Sequence, residues 1–188
     1  VELERANQSL GEQESKYRSL VETTSEWIWE VDENSVYVYS SPRIEDLLGY
    51  KPEEMLGKTP FDFMPPEEVQ RASDISAGIV AAKEPFQGSE NTYQRKDGQV
   101  VVLETSGVPV MDAEGVLKGY RGINRDITDR KQAEQALQAT KVRLRTIVDD
   151  TPMIIYRFSP DGTLTFLNKA CSQFFKKGRE TLLGQNLF

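Results

Sequence analysis

The chain has 188 residues, enough for one domain and part of a second, and no apolar run approaches the about 18 residues of a membrane span. Its net charge of -7 argues against nucleic acid as a partner, because phosphate binding needs a basic face. The absence of histidine excludes His-dependent catalytic triads, most zinc sites and His-ligated haem. The single cysteine excludes an internal disulfide, which fits a reducing, cytoplasmic compartment.

Residues 1–24 favour a helix. Leu3, Leu10 and Tyr17 recur at intervals of seven residues, which is the spacing of a coiled-coil stripe. For residues 1–16 two alternatives stay open. Either this helix packs on its own domain, or it pairs with the same helix of a second copy.

Strand patterns then frame a group of helices. Alternating apolar and polar residues predict two strands, at 26–32 and 36–41. Proline and glycine bound three helices, at 43–48, 51–57 and 65–83. Three more strands follow, at 85–95, 99–111 and 117–127. Because turn sequences such as Asp-Gly join these last three, we expect them to form an antiparallel meander.

A long helix is predicted over residues 129–150, with Thr128 as its N-cap and its end before Pro152. Its apolar residues recur at spacings of four and three, which is typical of a coiled-coil seam. The seam residues are Ala133, Leu137, Thr140, Leu144 and Ile147. We predict that this seam pairs in parallel with the same helix of a second copy, giving a homodimer.

The opening of the chain repeats near its end. Residues 17–61 align with residues 144–188 at one constant shift and without a gap, so that Val21 meets Val148. Such a long period indicates tandem domains rather than a solenoid of short units. The repeat contains only the two strands and two short helices, so we expect residues 151–188 to begin a second domain.

Three motifs resemble segments of the PAS domain family. Residues 49–58, GYKPEEMLGK, resemble the family's G-Y-x-x-E-E-x-x-G segment. Residues 95–98 resemble its R-K-D-G turn, and residues 122–131, GINRDITDRK, resemble its closing G-x-x-R-D-I-T-x-R-K. Because all three occur in order at matching spacing, the resemblance is specific over about 17–131 and extends to part of the family's pattern from 144 onwards.

The resemblance implies an α+β PAS fold. This fold is a five-stranded antiparallel sheet with helices on one face and a small pocket between them, here flanked by N-terminal and C-terminal helices and followed by a partial second PAS domain. The implied organisation is an N-terminal helix at 1–16, a PAS domain at 17–128, a coiled-coil linker at 129–150 and the start of a second PAS domain at 151–188.

PAS domains serve mostly as sensory or dimerising modules of signalling proteins, commonly bacterial histidine kinases of two-component systems and diguanylate cyclases. The resemblance therefore implies a cytoplasmic sensory module that is not itself an enzyme. It would relay the state of its pocket through the linker helix to a downstream effector domain. The alternative is a purely structural dimerisation scaffold with no ligand.

Comparison with the flavin-binding LOV group of PAS proteins guides the choice of pocket residues. The LOV asparagines that contact flavin fall at Tyr93 and Leu103, its phenylalanine at Thr105 and its glutamine at Asn124. The LOV photochemical cysteine falls near Pro60, which disfavours covalent flavin chemistry, and the cofactor stays unknown. The candidate pocket residues are Trp27, Trp29, Tyr93, Leu103, Thr105, Tyr120 and Asn124.

Two alternatives stay open for Asn124, an amide on the inward face of a strand: it contacts a ligand, or Tyr93, Thr105 or the backbone satisfies it within a packed core. Asp126, Ile127 and Thr128 are the candidate signal-coupling residues, because the family's motif joins the core to the linker there. Plain helix capping is their alternative role. No catalytic residue and no metal site are predicted.

Overall fold

The computed structural model describes residues 24–186. The helix predicted for residues 1–16, with its two alternatives, lies outside the described residues. The described residues belong to two compact units, one ending at Lys131 and the other beginning at Gln132.

The first unit contains the five predicted strands. They are β1 (Trp27–Asp32), β2 (Tyr37–Ser40), β3 (Phe86–Gln94), β4 (Val100–Met111) and β5 (Leu117–Asp126). They form one antiparallel sheet in the order β2-β1-β5-β4-β3. The first and last strands of the unit therefore lie side by side at its centre, with Trp27 opposite Asn124.

Four helices accompany the sheet. They are α1 (Arg43–Leu48), α2 (Pro52–Met55), α3 (Pro66–Ala82) and α4 (Thr128–Asp150). Gly49 ends α1 in a left-handed conformation, with φ of 78°. The predicted second helix is shorter than expected, because Leu56 is already extended. A single 3-10 turn at Pro60–Phe63 was not predicted, since so short an element leaves no periodic pattern.

The inward face of the sheet carries the core of the first unit. Strand alternation buries Trp27, Trp29 and Val31 of β1 together. Tyr93 of β3 meets the Trp27 ring edge to face, with ring centroids 6.2 Å apart. The helices complete this core through Ile44, Leu48, Met55, Phe63 and Ala72.

The second unit comprises most of α4 and four short elements. These are β6 (Tyr156–Phe158), β7 (Leu164–Leu167), α5 (Lys169–Phe175) and α6 (Arg179–Leu182). Their order repeats that of β1, β2, α1 and α2. The core is small, with Leu164, Leu167, Cys171 and Leu182 buried. Large apolar side chains stay exposed, namely Met153, Ile154, Tyr156, Phe158, Phe174 and Phe175.

Candidate functional site

A cavity of about 90 Å³ lies between the sheet and α3. The sheet contributes aromatic and hydroxyl side chains, among them Trp29, Tyr93, Thr105 and Tyr120. The helix contributes the apolar side chains of Ala72, Ile75, Ile79 and Val80 together with Ser76. The inward alternation of the strands and the mainly apolar face of α3 thus produce one partly open space with two chemically different walls.

All seven predicted pocket residues are buried, but only Trp29, Tyr93, Thr105 and Tyr120 line the cavity. Trp27, Leu103 and Asn124 lie in the packed core instead. Trp27 is held there by a hydrogen bond from its Nε1 to the Ser40 hydroxyl, at 2.9 Å. An inward direction on a strand therefore predicted burial for these three residues, but not contact with the cavity.

Asn124 is 1% exposed, and its Oδ1 accepts a hydrogen bond from Trp29 Nε1 at 2.9 Å. Its Nδ2 makes no hydrogen bond of ordinary geometry with any described residue. The amide does lie close enough to the Tyr93 hydroxyl to lower the pKa of that phenol. Trp29 is not among the partners predicted for Asn124 from the sequence. It can bond to Asn124 because β1 and β5 are neighbours in the sheet.

Tyr93 and Tyr37 form a buried pair of phenols beside this amide. Burial raises the pKa of Tyr93 to about 12, although its contacts with Tyr37 and Asn124 oppose part of that rise. Burial likewise raises the pKa of Tyr37 well above its usual value. Both phenols are therefore neutral hydrogen-bonding groups at physiological pH.

The free energy of unfolding of the first unit is expected to fall as the pH rises from 10 towards 12, because Tyr93 ionises near 10 when unfolded but near 12 when folded. Tyr93 therefore contributes fully below pH 10, and its contribution is lost above that range. Urea titrations at a series of pH values, with Tyr93→Phe as the control, measure the effect. Identical pH profiles for both proteins would contradict it.

The first turn of α4 is tied to the sheet by backbone hydrogen bonds. The Asp126 carboxylate accepts a hydrogen bond from the Thr128 N–H at 2.8 Å. The Thr128 hydroxyl accepts from the Val102 N–H of β4 at 3.0 Å, so Thr128 bonds to β4 and is not the predicted cap of its own helix. The buried Ile127 donates its N–H to the Val102 carbonyl at 3.0 Å. The three predicted coupling residues thus lie where β5 passes into α4.

Ion pairs reinforce this attachment. Lys131 Nζ lies 2.6 Å from Glu90 of β3, and Arg130 lies 2.9 Å from Glu104 of β4. Arg95 approaches Asp126 at 3.4 Å. Each pair is partly exposed and contributes only about 0–1 kcal/mol alone, but together they hold α4 to two strands that also line the cavity.

Asn91 connects the cavity with these charged groups, although it is not among the pocket residues predicted from the sequence. Its Nδ2 donates to the Thr105 hydroxyl at 3.4 Å, and its Oδ1 accepts from Arg71 at 3.4 Å. Arg71 also donates to the Glu90 carbonyl at 2.7 Å and pairs with Glu68 of α3. The available signal was period-two alternation, because Asn91 shares a strand face with Tyr93.

The predicted dimer seam is exposed along α4. Leu137, Leu144 and Ile147 are between 55% and 58% exposed, and Ala133 and Thr140 are exposed as well. The Thr140 hydroxyl donates to the Ala136 carbonyl at 2.8 Å. No described residue of the same chain buries this seam.

Asn168 of the second unit was also missed. It is fully buried, and its Oδ1 accepts from the N–H groups of Ile155 and Cys171, at 3.0 and 3.1 Å. Its Nδ2 donates to the carbonyls of Val148 and Met153, at 3.0 and 2.7 Å. One amide therefore links the end of α4 to β6 and to the start of α5.

The internal repeat contained a signal for this residue, because Asn168 aligns with Ser41. The Ser41 hydroxyl accepts from the Ile28 N–H at 3.0 Å, as Asn168 does from Ile155. A buried polar residue before the short helix is thus common to both units. The longer side chain of Asn168 adds the donors that contact α4.

The profile of the PAS fold family matches residues 15–127, which is more than half of the chain. The chain belongs to the PAS family. The sheet order and helices described above agree with this membership and confirm the α+β PAS fold.

One curated relative and two solved structures are similar to the chain. The chain is 34% identical over 131 residues to the methanogenesis regulatory histidine kinase FilI of Methanothrix harundinacea, covering 70% of this chain and 15% of the kinase. The structure of an RNA-binding Light-Oxygen-Voltage receptor matches with a TM-score of 0.61 and 21% identity, over 68% of this chain and 37% of that one. A sensory box histidine kinase/response regulator from Burkholderia thailandensis E264 matches with a TM-score of 0.57 and 20% identity, over 70% of this chain and 98% of the solved one.

The PAS match, with a histidine kinase and a two-component sensor among the curated relatives, supports a sensory module of the signalling type. The chain spans about 15% of the length of FilI, so the similarity does not extend to the catalytic activity of that kinase. Within residues 24–186, no helix has the length and apolar character needed to cross a membrane.

Proposed function

We propose that this chain is a cytoplasmic segment of a histidine kinase or diguanylate cyclase that senses through its PAS pocket and signals through α4. The observation that carries the proposal is the double role of β4. Thr105 of this strand lines the cavity, while Val102 of the same strand bonds to Ile127 and Thr128 at the start of α4. A shift of β4 at the cavity would therefore move the hydrogen-bond partners of the first turn of α4.

The charged contacts provide a second connection between cavity and helix. Asn91 touches the cavity, and the neighbouring Glu90 holds Lys131 of α4. A ligand that favours one arrangement of β3 and β4 would bias the direction in which α4 leaves the sheet, in proportion to its differential affinity for the two arrangements. We expect α4 to carry this bias to a downstream effector domain, with no catalysis in the segment itself.

The output is proposed to pass through a homodimer in which two copies of α4 run in parallel. Burial of one leucine contributes about 1.5–3 kcal/mol, and a short coiled coil is marginal alone. The seam is exposed in the single chain, so pairing would bury it. By the internal repeat, residues 151–188 would lead into a second PAS domain.

Leu137→Asp is expected to weaken this dimer by at least about tenfold, because it places two carboxylates in the apolar seam. Light scattering and sedimentation of the two proteins at high micromolar concentration measure the change. Gln135→Asp is the matched control, because it adds the same charge on the opposite face of α4. A monomeric wild type, or equal weakening by both substitutions, would refute the proposed seam.

A dimerisation scaffold without a ligand is the second candidate, and the small volume of the cavity favours it. The absorbance spectrum and the mass spectrum of a denatured extract separate the two candidates. A stoichiometric small molecule released from the purified protein would support sensing. A dimer with an empty cavity that no added small molecule enters would support the scaffold.

A further inference from the structure

The side chains that line the cavity are all uncharged. None of the described residues that line it is Lys, Arg, Asp or Glu, and the chain has no histidine. Arg71 reaches the Asn91 amide, but its guanidinium is paired with the Glu68 carboxylate. A buried ligand charge would therefore have no counter-charge, and burial of an unpaired charge is strongly unfavourable.

Neutral polar groups are concentrated on one wall. Ser89, Asn91 and Thr105 lie together there, and the Tyr93 hydroxyl belongs to the same lining. Asn91 Nδ2 reaches the hydroxyls of Ser89 and Thr105 only at 3.5 and 3.4 Å. Hydrogen bonds of that length are weak, so these groups retain the capacity to bond to a ligand.

The opposite wall and the volume limit the rest of the ligand. The α3 wall is mainly apolar, with Ala72, Ile75, Ile79 and Val80 beside a single hydroxyl residue, Ser76. An apolar cavity of about 150 Å³ holds benzene. The present volume of about 90 Å³ is smaller, so it suits a molecule of about three to five non-hydrogen atoms.

We propose that the cavity binds a small uncharged molecule, with an apolar body against α3 and one hydroxyl or amide group bonded to Asn91 and Thr105. This inference rests on the proposed sensing function and names the class of ligand for that same site. The proposed site would bind neutral alcohols and amides and would reject carboxylates of the same shape, because its lining offers no positive charge.

The test compares molecules that match in shape and differ in charge. Propionamide and 1-propanol are titrated against propionate at neutral pH into the whole chain, labelled with nitrogen-15, and the amide resonances of residues 89–105 are followed. The two neutral probes are expected to shift these resonances saturably, and propionate to bind at least tenfold more weakly. Equal binding of propionate, or no saturable shift with either neutral probe, would overturn the proposal.

Two substitutions locate the bound molecule. Thr105→Val keeps the shape of the side chain but removes its hydroxyl, and should weaken 1-propanol binding about fivefold or more. Thr92→Val is the matched control, because Thr92 lies on β3 outside the cavity lining and should leave binding unchanged. Equal effects of the two variants would place the molecule elsewhere. Ala72→Leu fills the cavity and should abolish binding. If this variant fails to fold, the comparison of Thr105→Val with Thr92→Val still locates the bound molecule.

The readouts separate failure of this inference from failure of the proposed function. If the neutral probes bind at Thr105 but leave the resonances of α4 unchanged, the ligand class stands and the relay is refuted. If no probe binds while Leu137→Asp still dissociates the dimer, the ligand class is refuted and the scaffold remains.

Discussion

Asn168→Leu is expected to destabilise the second unit by about 3 kcal/mol or more. The substitution keeps the branching and the number of non-hydrogen atoms but removes every hydrogen bond of the amide. The N–H groups of Ile155 and Cys171 and the carbonyls of Val148 and Met153 then lose their partner. Each buried polar group left unpaired costs about 1–3 kcal/mol, and the small core of this unit offers little to offset that.

Hydrogen exchange at the amides of Ile155 and Cys171 measures this effect directly, and urea unfolding gives its size. The control is Asn168→Ser, which reproduces the residue of the first unit and should keep the bond to Ile155 while losing those to α4. We expect its effect to be intermediate. If the leucine variant keeps wild-type protection at both amides, the amide is not what joins these elements.

Gly119→Ala is expected to destabilise the first unit by about 3 kcal/mol or more. Gly119 lies in β5 opposite Asp32 and has φ of 144°, a conformation that favours glycine. An added Cβ would lie 1.9 Å from the Val31 carbonyl oxygen and 2.8 Å from its carbon. These are backbone atoms, so relief requires the two central strands to separate.

Gly78→Ala is the matched control, and its expected effect has the opposite sign. Gly78 lies on the exposed side of α3, its φ is not positive, and an added Cβ would meet no atom within 4 Å. Because alanine is a better helix former, this variant should gain about 1 kcal/mol. Urea unfolding of both variants provides the comparison, and a Gly119→Ala protein as stable as wild type would show that the strand pair adapts.

The sequence was sufficient for the fold because each level of pattern pointed the same way. Alternation placed Trp27, Trp29 and Val31 inward, and turn residues separated the last three strands. The PAS motifs then supplied the sheet, which local patterns alone do not determine. The 3-10 turn at Pro60–Phe63 was not predicted, because an element of one turn leaves no periodic pattern in the sequence.

The candidate site was less accessible to sequence reasoning, because it depends on contacts between distant positions. The bond from Trp29 to Asn124 requires knowledge that β1 and β5 are adjacent. Thr128 has the composition of a helix cap, but β4 lies close enough to take its hydroxyl. Strand alternation and the internal repeat pointed to Asn91 and Asn168, but the hydrogen-bond partners of these two residues became visible only with side-chain positions.

The central position of β1 and β5 has a consequence for how the first unit folds. The side chains of Trp29 and Asn124 meet across 95 positions of sequence. Such distant pairing slows folding, because a long loop must close before its contacts stabilise it. During synthesis, Trp27 can reach its Ser40 partner early, but Trp29 lacks its Asn124 partner until β5 emerges. The residues that complete the sheet lead directly into α4, so closure of the PAS core and the start of this helix are one late event.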